Sequence, residues 1–315
     1  RGDVAMVGYG AARYALASGN CNEAEKLWPL IEWCLEYCHR QLNADGVVKS
    51  DSDELENRFP AGKANLCTSS LYYDALVSAA YLGKALKKEH KQIKSYQDRA
   101  AELYKNIDAY FARNVEGYDT YRYYDGNTVL RSWICIPLTM GIYDQAKGTV
   151  EALFSDKLWM ENGLLTQSGT STYWDRSTLY AFRGAYSCGA RDIATEYLDK
   201  YSATRLLGDH VPYAVEAWPE GNQRHLSTES ALYCRIMTEG LFGIRPIALD
   251  AFMMTPQLPE SWNTMSLKRI CAFGSIFDIE VKRDKDDKLL VLIKKDHKIV
   301  KRSKITNGKP IEVRI

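Results

Sequence analysis

The sequence predicts a mainly α-helical domain of paired helices over residues 1–260, followed by a short β-rich domain over residues 261–315. Three observations predict it. Apolar residues recur at helical spacing through the first part, and period-two alternation replaces that pattern in the last. All 21 Tyr and six of the seven Trp lie before residue 261. Charge changes at the same place: 27 basic and 33 acidic residues precede it, and 14 basic and seven acidic residues follow in only 55.

Taken in order, helical periodicity covers about 5–18, 22–42, 65–86, 92–113, 131–144, 147–155, 176–188, 191–203 and 227–240. Gly, Asn and Asp separate the segments into pairs, as after Ser18 and at Gly189. Asn22 with Glu25 has the spacing of a capping box for the second helix. Pro29 would remove a helical hydrogen bond, so that helix is expected to kink or to restart there. Downstream of the turn in TPQLPESWN, the segments SLKRICAFG, IFDIEVKR, KLLVLIKK, HKIVKRSK and PIEVRI alternate as strands, with DKDD and NGK as turns.

Composition excludes several functions. With 41 basic and 40 acidic side chains the formal charge is +1, which offers no field to hold a polyphosphate backbone, so nucleic acid is not an expected partner. No apolar run approaches the roughly 18 residues of a membrane span. The eight cysteines form no CxxC pair and are expected as buried thiols. GxGxxG, Walker, HExxH and GxSxG motifs are all missing, and no two of the five histidines are two to four residues apart. The chain opens on Arg1 rather than Met, so the expectation is a longer protein whose N-terminal helices precede it, and the compartment stays open.

The chemistry is expected in the long stretches between helices, at 43–64, 114–130, 156–175 and 204–226. Helix bundles use short connections; long ones rich in Trp, Tyr, Asp and Glu suit a scaffold that carries a site at one end. The first has Asp51, Asp53, Glu54 and Glu56 before Arg58 and Phe59. As a bare string these acids read as a solvated loop. Arg58, however, can pin one carboxylate beside another, which raises a carboxyl pKa toward the range of a general acid. In the last stretch Glu216 and Glu220 flank Trp218 and Pro219, and Arg224 and His225 follow. An indole face stacks on the C–H groups of a pyranose while carboxylates bind its hydroxyls and move its protons, so this is a sugar-site composition. His225 can equally cap a turn, and Glu229 can simply complement the dipole of the helix it begins. Trp159, Tyr173, Trp174, Asp175 and Arg176 mark the third stretch, where Trp174 also fits a core and Asp175 an N-cap. The second holds Tyr118, Tyr121, Tyr123, Tyr124, Asp125 and Arg131.

The segments RGDVAMVGYGAARYALASGN, DSDELENRFPAGKANLCTSSLYYDAL, NGLLTQSGTSTYWDRSTLYAF and VEAWPEGNQRHLSTESALYCRIMTEGLFGIRP, closed by PQLPESWNTMSLKRICAFGSIFDIEVKR, resemble the six-hairpin glycosidases. Within them the chain is most similar to the alpha-L-rhamnosidase and glycogen-debranching branches. The resemblance implies an (α/α)6 toroid, followed by a small antiparallel β domain, and an inverting glycoside hydrolase acting on a terminal bond of a carbohydrate substrate without a cofactor. It places Glu216 at the position of the general base and takes the general acid from the SDELENRF loop, where Glu54 is preferred over Asp53 and Glu56. Glu220 is a further candidate. It also assigns Asp3 to sugar hydroxyls and the pair Trp174 and Asp175 to the pocket rim; Arg58, Trp218, Arg224 and His225, read from the loops themselves, are expected as further substrate contacts. Twelve helices close such a toroid and the periodicity finds nine. Two alternatives stay open: a polysaccharide lyase or sugar epimerase using Tyr213, His210 and His225, and a non-catalytic carbohydrate-binding toroid.

Overall fold

The computed structural model describes residues 2–52, 59–206, 217–218 and 227–315. Its helices are α1 (Gly2–Ser18), α2 (Cys21–Arg40), α3 (Leu66–Ala85), α4 (His90–Phe111), α5 (Ile136–Met140), α6 (Ala146–Leu153), α7 (Asp175–Ser187), α8 (Arg191–Arg205) and α9 (Ser227–Arg235). Short strand pairs lie among them: β1 (Ala112–Val115) with β2 (Tyr118–Tyr121), β3 (Trp159–Met160) with β4 (Gly163–Leu164), and β5 (Tyr173–Trp174) with β6 (Ala217–Trp218). A one-turn 3-10 segment, Ser132–Cys135, leads into α5, and a π-helical turn, Ile236–Leu241, continues α9.

Odd-numbered helices form an inner row, α1 on α3, α3 on α5, α5 on α7 and α7 on α9, while α2, α4 and α8 each cover the preceding odd helix from outside. Burial follows from this arrangement. In α3 residues on every side of the helix are buried, including Ser69, Ser70, Asp74 and Ser78, and α7 is enclosed in the same way. By contrast α2 and α4 bury one face, Ala24, Trp28, Ile31 and Leu35 in the first and Ile93, Tyr96, Ala100 and Leu103 in the second. Small residues let the inner helices approach: a Cβ on Gly184 of α7 would stand 2.8 Å from the Cβ of Leu138.

Local signals differ from expectation in three places. Asn20, not Asn22, caps α2, its side chain accepting from the backbone N–H groups of Asn22 and Glu23, and Glu25 instead pairs with Lys88 of the neighbouring hairpin at 2.6 Å. Pro29 sits inside a continuous α2. Its ring nitrogen has no hydrogen to donate, so the Glu25 carbonyl one turn earlier loses its helical donor while the helix runs on. The cysteines divide: Cys34, Cys38, Cys67 and Cys135 are buried as expected, but Cys21, Cys234 and Cys271 are exposed, and all eight are free thiols.

The C-terminal strands are β7 (Ile244–Ala248), β8 (Ala251–Met254), β9 (Thr264–Ala272), β10 (Ser275–Arg283), β11 (Lys288–Lys295), β12 (Lys298–Thr306) and β13 (Ile311–Arg314). Four form an antiparallel meander in the order β12-β11-β10-β9, and the chain end returns to a three-stranded sheet, β13-β8-β7. Strand structure therefore begins at Ile244, upstream of the compositional change near 261. Phe277, Ile279 and Val281 of β10 and Leu289, Val291 and Ile293 of β11 point inward, as the alternation demands. The edge strand β12 carries Lys298, Lys301, Arg302 and Lys304, charges that discourage pairing with another sheet.

The sheets dock on the end of the inner row where α1 finishes. Phe273 and Gly274, at the turn between β9 and β10, donate to the carbonyls of Ala17 and Ser18, taking the place of the next helical turn. Gly19 has φ +70° there, and a Cβ would fall 2.2 Å from the Gly274 nitrogen, so only glycine fits.

Near the same end a charged cluster ties the inner helices together. Asp74 of α3 is fully buried and accepts from Arg13 of α1 through Nε at 2.9 Å and Nη2 at 3.1 Å, and from Arg245 of β7. Glu239 accepts from Arg13 and Arg235, and Arg235 also donates to the Tyr9 hydroxyl at 2.6 Å. Burial alone would raise both carboxyls, but the arginines outweigh it and hold Asp74 and Glu239 below the usual carboxylate range. Groups with lowered folded-state pKa stabilise fully above the unfolded-state values of about 4 and lose that contribution as pH falls through the lowered values. Urea midpoints are therefore expected to stay level from about pH 8 to 5 and to fall below about pH 4. Asp74→Asn should weaken that acid dependence while lowering the midpoint at neutral pH.

Candidate active site

All the long connections precede odd-numbered helices, so they gather at one end of the inner row, opposite the sheets. Those that leave odd helices are short: two residues separate α1 from α2, and three separate α7 from α8. This asymmetry is what a scaffold with one loop-built face requires.

Backbone bridges join the four long connections in series. Asn65, which caps α3, bridges Tyr124; Arg131 bridges Gln167; Leu165 bridges Tyr173; and Tyr173 of β5 pairs with Trp218 of β6. Ser132 donates to the Thr166 carbonyl and Ser168 to that of Leu130, which fixes the second connection on the third. Arg131, 1% exposed, lies between the first and the second. Its Nη1 donates to the Pro60 carbonyl at 3.1 Å, and its guanidinium covers the rings of Phe59 and Tyr123, 5.0 and 4.8 Å from their centroids. Pro60 and Phe59 follow the acidic SDELENR run directly, so Arg131 anchors the described flank of the expected acid loop.

Behind these connections lies an aromatic and ionic wall. Trp174 packs on Trp133 with ring centroids 4.5 Å apart, and Trp133 meets Tyr180 edge-on at 5.4 Å. Asp175, the first residue of α7, is fully buried, with Oδ1 and Oδ2 accepting from Arg205 Nη1 and Nη2 at 2.8 and 3.0 Å. Arg205 also donates to the Asn162 carbonyl, tying α8 and the β3–β4 turn to the start of α7. Glu229, in the first turn of α9, is equally buried and accepts from Arg176 Nε at 2.8 Å; its Oε2 has no hydrogen-bond partner among the described residues. Removing one member of a buried pair strands the other charge. Arg205→Met is accordingly expected to destabilise the protein by about 3 kcal/mol, read from urea unfolding, with no recovery on adding sugar.

The sequence-derived site residues distribute as follows. Asp53, Glu54, Glu56, Arg58, Glu216, Glu220, Arg224 and His225 lie outside the described residues. Trp218 is placed through its backbone in β6, beside Tyr173. Asp3 is exposed in the first turn of α1. Trp174 and Asp175 differ from the rim position that the resemblance implies: 3% and 0% exposed, they are committed to Trp133 and Arg205 and support the loop face from beneath. Trp159 is likewise a packing residue, against Phe154, Phe182 and Tyr197. In the sequence Glu229 reads as a dipole complement, and nothing there singles out Arg205. Its pair with Asp175 spans 30 residues, and no local pattern announces such a contact.

Among the described residues no three His, Cys, Asp or Glu stand close enough to hold a metal ion, and no helix is long and apolar enough to cross a membrane. Neither a family model nor a curated protein matches the chain. Solved structures do. A sialidase aligns over 96% of this chain and 32% of its own, with a TM-score of 0.73 at 15% identity. A GH78 family rhamnosidase of Bacillus sp. GL1 aligns over 90% of this chain and 29% of its own, with a TM-score of 0.58 at 13% identity. An alpha-L-rhamnosidase from Dictyoglumus thermophilum aligns over 95% and 37%, with a TM-score of 0.53 at 12% identity. The chain spans about a third of the length of these proteins. At such identities the likeness concerns the fold, and the fold is the six-hairpin α/α toroid followed by an antiparallel β region, as the sequence predicts.

Proposed function

We propose that the chain carries the catalytic face of a glycoside hydrolase, exo-acting and inverting, with a carbohydrate as substrate. The observation that carries this reading is the serial bridging of four long connections, two of them contributing the acidic and the Glu-Trp stretches, at one end of a toroid shared with rhamnosidase structures. Hydrolysis of a glycosidic bond needs a proton for the leaving oxygen and a water deprotonated as it attacks the anomeric carbon. On this reading the SDELENRF stretch supplies the acid, with Glu54 as first choice and Asp53 and Glu56 as the others, and Glu216 supplies the base. A water between them requires carboxyls about 6.5 to 9.5 Å apart, whereas a retaining pair would stand at about 5 to 5.5 Å. Trp218 would stack on the sugar ring. Asp3, Arg58, Arg224, His225 and Glu220 would contact its hydroxyls. No step of this chemistry calls for a cofactor.

The test is a screen of aryl glycosides, with α-L-rhamnosides and sialosides included because the similar structures carry those names, followed by proton NMR of the first product formed. Release of a sugar of inverted anomeric configuration supports the whole reading. Retention would keep the hydrolase and discard the acid–base arrangement. Turnover of a uronate polymer with formation of an unsaturated product would replace hydrolysis by elimination.

A further inference from the structure

A cavity lies at the sheet end of the toroid, about 530 Å³ in volume, between the ends of α5 and α7, the start of α8, and the three-stranded sheet. That is room for a monosaccharide-sized molecule. Its charge is one-sided: Arg13, Arg183, Arg191, Arg245 and Lys309 line it against the single carboxylate of Glu239. Asp74, beneath, engages Arg13 and Arg245, yet cations still outnumber carboxylates. Arginine cannot shed its proton to relieve such crowding, so the excess charge persists at any physiological pH.

Two further observations point to a ligand. Arg183 is 2% exposed, and among the described residues its Nε has no hydrogen-bond partner, while its Nη1 stands 3.4 Å from Glu239 without a hydrogen bond. Gln257, 3% exposed and also lining the cavity, has no partner for its Oε1 among the described residues. A buried guanidinium donor and a buried amide acceptor left open across one cavity cost free energy unless something bridges them. The second observation concerns α8, a helix of 15 residues whose N-terminus has no side-chain cap and whose first residue, Arg191, lines the cavity. Its unpaired amides add to the attraction for an anion.

We propose that this cavity is a second ligand site, which takes a monosaccharide-sized organic anion, its carboxylate or phosphate group held by Arg183 and its neighbours and a hydroxyl donating to Gln257. Clustering of these cations in a concave site concentrates their field on a bound anion, and a neutral sugar gains nothing from that field. The site is separate from the loop face and stands or falls independently of the hydrolase reading, because its readout is binding.

The experiment is isothermal titration of the intact chain with glucuronate, glucose 6-phosphate and glucose at a constant ionic strength of about 0.15 M. At least one anion should bind saturably with a Kd of about 1 mM or tighter, and glucose should not. The two anions distinguish a carboxylate ligand from a phosphate ligand. Arg191→Gln combined with Lys309→Gln, both at the outer lip, should weaken binding at least about 10-fold without lowering Tm. Arg183→Gln should abolish it, and the lip variant keeps the test decisive if Arg183→Gln does not fold. Absence of saturable binding of either anion up to about 10 mM, equal binding of glucose, or undiminished binding by the lip variant would each overturn the proposal.

Discussion

Glu216→Gln is expected to lower kcat by roughly 100-fold or more on the glycoside that the screen identifies, while the protein remains folded. Glutamine keeps the shape and hydrogen-bonding reach of the side chain but cannot accept the proton of the attacking water. Tm should shift little, because an amide replaces a carboxylate that the proposed role leaves facing water. The loss should fall mainly on kcat: the base acts in the transition state, and KM reports contacts that the substitution retains. Backbone pairing supports placing this role here, since Ala217 and Trp218, the residues that follow Glu216, form β6 beside Tyr173 and Trp174 at the loop end of the toroid. An external nucleophile such as azide, which needs no deprotonation, gives a sharper readout, and its addition should restore turnover to Glu216→Gln. Near wild-type turnover without azide would remove Glu216 from the base position.

Much of the fold is legible because it rests on periodicity. Long α2 and α4 show a 3.6-residue pattern over five or more turns, and β10 and β11 alternate so regularly that their inward residues follow directly. Short elements carry too few residues for a period to declare itself. The β1–β2 hairpin interrupts what sequence extends as helix to 113, and the stretch 131–144 contains a 3-10 turn and a helix of only five residues. Capping of α2 was misplaced by two positions because Asn20 and Asn22 are both competent caps, and only the backbone conformation at Asn20 decides between them. The ionic interior was invisible for a different reason. Asp74, Asp175 and Glu229 look in sequence like ordinary polar residues, and their partners Arg13, Arg205 and Arg176 lie 61, 30 and 53 positions away. At the loop face composition singles out the stretches in which the chemistry is proposed. It could not separate residues that build the wall, such as Trp174 and Asp175, from residues proposed to touch sugar, because both tasks select tryptophan and carboxylate.

The acid loop offers the sharper test, because substitution there separates a role from mere importance. Glu54→Gln is expected to lower kcat/KM by roughly 100-fold or more on glycosides with poor leaving groups, and to leave dinitrophenyl glycosides nearly unaffected. The physical reason is the leaving oxygen: an alkoxide cannot depart without a proton, whereas a dinitrophenolate is stable enough to leave unaided. A general acid must hold its proton near neutral pH although an isolated Glu titrates at about 4.3 and an isolated Asp at about 3.9. Neighbouring carboxylates raise such a pKa and a nearby arginine lowers it, which disfavours Glu56, and between the adjacent Asp53 and Glu54 the glutamate starts from the higher intrinsic value. Glu54 adjoins Asp53 and lies four residues before Arg58, and Glu56 stands two residues nearer that arginine. Arg131 holds Phe59 and Pro60, which follow the run directly, against the second connection. Asp53→Asn and Glu56→Gln should therefore lower activity on both substrate classes together, if at all, through positioning. A leaving-group-dependent loss in Asp53→Asn with none in Glu54→Gln would transfer the acid to Asp53, and equal losses in all three would turn the loop into a binding element with the acid elsewhere.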